Sequence, residues 1–315
     1  MTTYALPDWV RCPACRGPLE RAEDLGRATH LSCIACSAEY AVDEGIPVLL
    51  DAETRREAEA HAAKEDTRVY HAARHDAPAN VQYYDYWVDD LLRRVPSRRY
   101  RRAVELMAGG AELSRRAREL PKPIVAIDIN KGLLALSKDE LVPEILPVCA
   151  SAERLPFEDA SIDLVLIQGG LHHVRPRVAG VVREIARVMA PGAVLVASEP
   201  RNDNLFNHTF RRAFYHLHPT PDADEEDGFT ARQMRELLDH AGLVMLQYDP
   251  FAYLGYMLIG NTDLVPLLAR MDRNALSSSL IALDRAWARV PFARGLGWAS
   301  QILAEKRARA SCRSV

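Results

Sequence analysis

Residues 103–120, AVELMAGGAELSRRAREL, read as a short apolar strand, a glycine turn and a polar helix. A strand that ends in glycine and opens into a helix brings main-chain amides to the carboxyl end of a sheet, where a ligand can approach the backbone closely. The turn holds only two glycines, Gly109 and Gly110, with Met107 and Ala111 where more would be expected. Alone it is too weak a signal to name a cofactor.

The residues that follow predict the fold class. PIVAIDIN reads as a strand, KGLLALSKDELV as a helix, and EILPVCAS and SIDLVLIQGG as two further strands. RVAGVVREIARVM carries apolar residues at helical spacing and is ended by Pro191-Gly192, after which AVLVASEP reads as another strand. Such alternation predicts an α/β fold, a mostly parallel sheet with helices on both faces. Ligands of these sheets sit beyond the carboxyl ends of the strands, at the switch point. The polar residues at those ends are Glu105, Asp128, Ser151 with Ala152 and Glu153, Gln168 to His173, and Glu199. Together they trace one rim. Asp128 follows the glycine turn by about twenty residues, the interval and place of an acid that binds ribose hydroxyls.

Upstream, the chain changes character. Four of its six cysteines form two pairs, Cys12-Pro-Ala-Cys15 and Cys33-Ile-Ala-Cys36, separated by seventeen residues. The spacing fits a closed, four-thiolate structural zinc site. A hairpin with Gly26 at its tip is expected between the pairs, and a second turn at Glu44-Gly45 after them. Gly17 relaxes the first knuckle; the second has no glycine there, so a different turn is expected. A polar module of this size has little core of its own, so the metal would supply much of its folding energy.

Composition narrows the function classes. Of 315 residues, 48% are hydrophobic and the net charge is -3, which disfavours a disordered chain or a globally basic nucleic-acid binder. MTTYALPDWV shows no export signal, and the most apolar run, FAYLGYMLIGNTDLVPLLA, is broken by Asn261, Asp263 and Pro266. The expected location is the cytoplasm, away from membranes. Residues 53–97 are expected to be a helical linker and lid, with Tyr83, Tyr84, Tyr86 and Trp87 either lying over a ligand site or simply packing. LLRRVPSRRYRR sets six arginines in twelve residues, a candidate phosphate-binding patch or a solvated helix end.

VELMAGG, VAIDIN, ASAERLPFEDASIDLVLIQGGLHHV, REIARVMAPGAVLVASEP and FTARQMRELLDHAGL resemble the successive motifs of class I S-adenosylmethionine (SAM)-dependent methyltransferases, in particular the ubiquinone and menaquinone C-methyltransferase branch. Residues 1–52 resemble the zinc ribbons of methyltransferase-activator proteins. The resemblance implies a seven-stranded Rossmann-like sheet over residues 98–315 whose last strand, GWASQILAEK, is antiparallel. It implies that Gly109 and Gly110 admit the methionine part of SAM at the start of the helix near Ala111, with Glu105 orienting its amino group. It further implies Asp128 on the ribose, Ile129 on the adenine, Ser151 and Ala152 on the adenine edge, and Gln168 beside the sulfonium. Met107 and Ser151 depart from the family pattern. Met107 would be strained if its position needs positive φ, whereas Ala111 is expected to cost little.

A base helps when the acceptor is a hydroxyl or a carbon acid. The candidates are His172 and His173, with His208, Tyr215, His216 and His218 in an insert over about 201–228. This insert and the helical segment over about 251–292 are expected to select substrate. Three functions fit. The protein methylates a small metabolite or natural product with SAM and carries Zn2+; or it methylates RNA through the ribbon and the arginine patch; or it reuses the fold without methylating. Oligomeric state is not legible.

Overall fold

The computed structural model describes residues 6–24, 27–64, 77–136, 144–203, 209, 228–261 and 264–307. The large domain is built on seven strands: β5 (Ala103–Leu106), β6 (Ile124–Asp128), β7 (Ile145–Ala150), β8 (Ile162–Gln168), β9 (Met189–Pro200), β10 (Leu243–Phe251) and β11 (Ala299–Lys306). They lie in the order β7-β6-β5-β8-β9-β11-β10. The pairs from β7 to β9 are parallel, while β11 runs antiparallel to both β9 and β10. The expected final antiparallel strand is therefore present. The order reverses between β5 and β8, and this switch point places the turns after them side by side.

Strand alternation sorts the core into two faces. Val104, Leu106, Val125, Ile127, Val165, Ile167 and Leu195 pack on one side with the helices Val178–Val188 and Ala231–His240. Leu164, Leu166, Val194, Val196 and Leu303 pack on the other with Val88, Leu91 and Leu113. Each such fully buried aliphatic side chain contributes about 1.5–3 kcal/mol. The expected helix after the glycine turn is short, Glu112–Arg116, because Ala117 leaves helical geometry at ψ 60. The next helix begins at Lys131, as its sequence predicts.

The cysteine module contributes an antiparallel meander, β1 (Leu19–Asp24), β2 (Arg27–Cys33), β3 (Glu39–Asp43) and β4 (Ile46–Leu49). The turn at Glu44 and Gly45 has φ 51 and 80, which is why glycine is favoured there. The tip around Gly26 lies outside the described residues. One join is not legible in the sequence. β4 adds in parallel to the edge of β7, pairing Val48 with Cys149 and Leu49 with Ala150, so one continuous sheet of eleven strands results. Trp9, 7% exposed, packs its ring 5.4 Å from that of Phe157, and Arg11 N–H donates to Pro156 O at 2.8 Å. Trp9, Cys12 and Leu31 belong to the same hydrophobic cluster as the large domain's strands.

The helix Pro78–Leu92 turns Tyr83, Tyr86, Trp87, Val88 and Leu91 inward. Tyr83, Tyr86 and Trp87 join Phe251, Leu280 and Trp298 in a separate aromatic cluster. At its centre the buried Asp284 accepts from Tyr83 O–H at 2.6 Å and from the N–H groups of Tyr253 and Gly255 at 3.0 and 2.7 Å. Trp87 Nε1–H donates at 2.9 Å to Oγ of Ser198, the residue paired with Gln168. This helix thus packs at the edge of the rim.

Because the module shares core and sheet with the large domain, the two should unfold together. Trp9→Ala should destabilise by about 3–5 kcal/mol and move a single urea transition. A separate early transition, with the large domain's midpoint unchanged, would refute the join.

Candidate functional site

The four cysteine sulfurs lie within 4.8 Å of one another. Cys15 and Cys33 are 3.4 Å apart, and Cys12 and Cys36 are 3.7 Å apart. These are far from the roughly 2.05 Å of a disulfide and close to the ~3.8 Å between sulfurs each about 2.3 Å from a tetrahedral zinc. Both knuckles close in the same way. Arg16 N–H donates to Cys12 O and Ser37 N–H to Cys33 O, with Arg16 and Ser37 left-handed at φ 65 and 57. The expectation of a different second turn is thus corrected: the left-handed residue precedes the glycine position. Gly17 is needed for space, since a Cβ there would lie 2.6 Å from Ala35 Cβ. Its N–H donates to Cys15 Sγ at 3.3 Å.

At the switch point, the loop after β5 has three left-handed residues in five: Met107 (φ 52), Gly109 (φ 49) and Ala111 (φ 56). Positive φ costs a residue with a Cβ about 1–2 kcal/mol. Ala111 is therefore not the inexpensive replacement its sequence position suggests. The strand next door holds the loop in shape. Ala108 N–H donates to Ile127 O at 2.9 Å, and Gly109 N–H donates to Asp128 Oδ2 at 2.7 Å. Asp128 Oδ1 accepts from Asn130 N–H at 2.7 Å.

Met107 has a second support. Its side chain lies against Gly170, where an added Cβ would come 2.5 Å from Met107 Cβ and 2.7 Å from its Sδ. Gly170 has given up its side chain to seat the one that Met107 adds.

Glu105 is buried beneath this loop and accepts from Leu113 N–H at 3.2 Å and Ser114 N–H at 2.7 Å. Its carboxylate therefore caps the short helix after the turn, taking amides that the sequence reading left for a ligand. Burial pushes its carboxyl up to about 7, against the pull of those donors.

Gln168 closes β8, and both polar atoms of its side chain are buried without a partner. So is Asn130 Nδ2, in a residue only 4% exposed. An unpartnered buried amide costs about 1–3 kcal/mol, so two of them on one rim are unfilled hydrogen-bonding capacity for a polar ligand. Ile129 and Ala152 are half-buried against the core, and Ser151 Oγ accepts from Glu153 N–H at 3.2 Å.

The loop carrying Ser151 and Ala152 is gripped from both sides. Arg187 donates to Leu155 O, Phe157 O, Glu184 and Asp159. From the cysteine module, Arg11 pairs with Glu158, Arg16 with Asp159, and Asp51 with Arg154. Asp43 pairs with Lys131, just past Ile129. A polar cleft of about 340 Å³ follows this seam, lined in part by Cys15, Arg16, Glu153, Arg154 and Arg187.

His172 is buried and His173 exposed, with ring centroids 4.0 Å apart. His172 Nδ1 lies 2.9 Å from the buried Glu199 Oε2. The structure thus brings Glu105, Gly109, Gly110, Asp128, Ile129, Ser151, Ala152, Gln168 and His172 to the carboxyl ends of neighbouring strands. Asn130 and Gly170 carry no sequence signal of their own. His208, Tyr215, His216 and His218 lie outside the described residues.

Residues 104–197 match the methyltransferase domain family. This segment, less than a third of the chain, is a methyltransferase domain. Its relatives include the demethylmenaquinone methyltransferase of Beutenbergia cavernae, 35% identical over 113 residues, which are 36% of this chain and 46% of that protein. That of Geobacillus kaustophilus is 28% identical over 136 residues, 41% of this chain and 57% of that protein. The chain therefore spans about half the length of the curated relatives it matches. One chain of a solved complex, between the Haloferax volcanii Trm112 methyltransferase activator and a protein assigned as a methyltransferase, has a TM-score of 0.52 at 17% identity. The match covers 82% of this chain and 99% of that one, a likeness of fold.

Two predictions follow from the methyltransferase domain's loop. Gly170→Ala should cost about 1–3 kcal/mol by overpacking, and Met107→Gly should recover at least about 1 kcal/mol of it. Additive losses in the double-mutant cycle would show that the two residues do not compensate. For Glu105, the folded value of about 7 lies above the ordinary 4.5. Its contribution to stability is full below the lower value and declines as pH rises to the upper, by about 3 kcal/mol in all. Glu105→Gln should remove that slope; a variant-minus-parent difference that is flat from below pH 4.5 to above pH 7 would contradict it.

Proposed function

We propose that the protein is a SAM-dependent methyltransferase acting on a small molecule, with a structural zinc in its N-terminal ribbon. The observation that carries the proposal is the rim of the methyltransferase domain. There Asp128 holds an open glycine turn, and a Cβ at Gly109 would meet nothing within 4 Å. The unpartnered side-chain amide of Gln168 and the unpartnered Nδ2 of Asn130 stand at or just past the ends of β8 and β6, on the same rim. When bound, SAM supplies an activated methyl group on a sulfonium. The chain's part is to bind and orient. Gly109 and Gly110 admit the methionine portion, while Asp128 takes the ribose. Ile129 and Ala152 provide the apolar adenine surface, and Ser151 its polar edge. Gln168 turns its free amide to the cofactor. Glu105 acts one step back by fixing the helix start.

Cys12, Cys15, Cys33 and Cys36, whose sulfurs lie within 4.8 Å of one another, would supply all four ligands of a tetrahedral zinc and leave it no open position for chemistry. Its work is to fold the ribbon that braces the adenine side.

The acceptor is a small molecule whose identity is not shared with the relatives by default. The family match ends at residue 197, before the insert over 201–228 and the segment over 251–292. The RNA reading finds less support. Arg94 pairs with Asp90 and Asp249, Arg93 with Asp90, Arg98 donates to Gly192 O, and Arg102 lies over Trp9. The patch precedes β5 and so sits at the amino ends of the strands, opposite the rim. No helix among the described residues is long and apolar enough to cross a membrane.

Calorimetry with SAM and with its demethylated product should show binding of both, weakened at least about tenfold, or about 1.4 kcal/mol, by Asp128→Ala. Absence of heat and of thermal shift with either ligand would sink the proposal. Elemental analysis should find one zinc per chain, lost in a Cys12→Ser variant.

A further inference from the structure

We propose that Glu199 is a positioning residue that fixes the tautomer of His172 and so makes its Nε2 a proton acceptor for the methyl acceptor. The inference rests on the methyl-transfer proposal. Glu199 ends the functional part of β9 with its side chain entirely buried. Four nitrogens lie within hydrogen-bond distance of its carboxylate. Gly170 N–H and Leu171 N–H donate to Oε1 at 3.0 and 2.8 Å. His172 N–H reaches Oε2 at 3.2 Å, and His172 Nδ1 lies 2.9 Å from the same oxygen.

Three of the four are backbone donors, which cannot reverse their role, so both oxygens are held as acceptors. The fourth bond is then Nδ1–H donating to Glu199, and the neutral ring carries its lone pair on Nε2.

The ring is also in the right place. It sits over the turn that follows Gln168, with Cε1 3.6 Å from where a Cβ on Gly169 would be, and Gly169 is left-handed at φ 65. The same turn seats Met107 on Gly170. Proton acceptor and cofactor loop therefore meet at one point of the sheet.

This narrows the substrate class. The acceptor is one that sheds a proton when alkylated, a hydroxyl or phenol or an acidic carbon. The acceptor's electron pair forms the bond to the methyl carbon, the carbon–sulfur pair stays on sulfur, and the acceptor's proton passes to Nε2. Tertiary amines and thioethers, which have no proton to lose, do not need this machinery.

Histidine-selective nitrogen NMR tests it without substrate or cofactor, at a pH well above the usual histidine range of about 6.5. The His172 signal is assigned by its loss in His172→Gln. The wild-type ring should be protonated at Nδ1 alone. In Glu199→Gln, the amide that replaces Oε2 donates to Nδ1, so the proton should move to Nε2, while affinity for demethylated SAM stays within about threefold (0.65 kcal/mol at most). A wild-type ring protonated at Nε2, or at both nitrogens, overturns the proposal, even if the variant does not fold. So does a folded Glu199→Gln with an unchanged tautomer. If the wild-type protein fails to bind demethylated SAM, the methyl-transfer proposal falls and takes the base with it, whatever the tautomer.

Discussion

The carboxylate of Asp128 ties the end of one strand to the glycine turn of the next. A loop with three left-handed residues in five does not persist through its own preferences, because two of the three carry side chains. It persists because its amides are taken by Ile127 O and Asp128 Oδ2, both on a strand that cannot move without breaking the sheet. The helix beyond the loop depends in turn on Glu105, whose burial is costly and whose two donors offset part of that cost. The rim is thus a set of neighbouring strand ends, each stabilising an awkward backbone on the other.

Much of this is legible in the sequence. The alternation of apolar runs and helical spacing gives the layers. The place of Asp128 after VAI points to the rim, and the two cysteine pairs to the cluster of four sulfurs. What escapes depends on contacts between distant residues. Met107 reads as a defect until Gly170, sixty-odd residues later, is found under it. Glu199 reads as one more polar strand end until the four nitrogens around it are traced. Ala111 looks harmless because composition says nothing about its φ. IPVLL reads as the last strand of a small module, since nothing in its own pattern reveals that its free edge matches that of β7.

The ribbon's attachments are unevenly spread. They fall on Lys131, just past Ile129, and on the loop from Ser151 to Asp159, two segments that flank one side of the rim. The other side, around the glycine turn, is supported from within the large domain, by Glu105, Asp128 and Gly170. The two sides of the rim therefore take their support from different sources: the cysteine module on one, and contacts within the large domain on the other.

The parallel pairing of β4 with β7 also bears on how the chain assembles during synthesis. Leu49 leaves the ribosome about one hundred residues before its partner Ala150. At about 5–20 residues per second, that is a wait of several seconds. During that interval the apolar edge of Ile46–Leu49 has no strand to join. Four thiolates that gather within a single short module allow it to close locally while it waits, because its loops are short and their closure entropy small. The N-terminal module is then a preformed template on which the third strand of the large sheet can later dock.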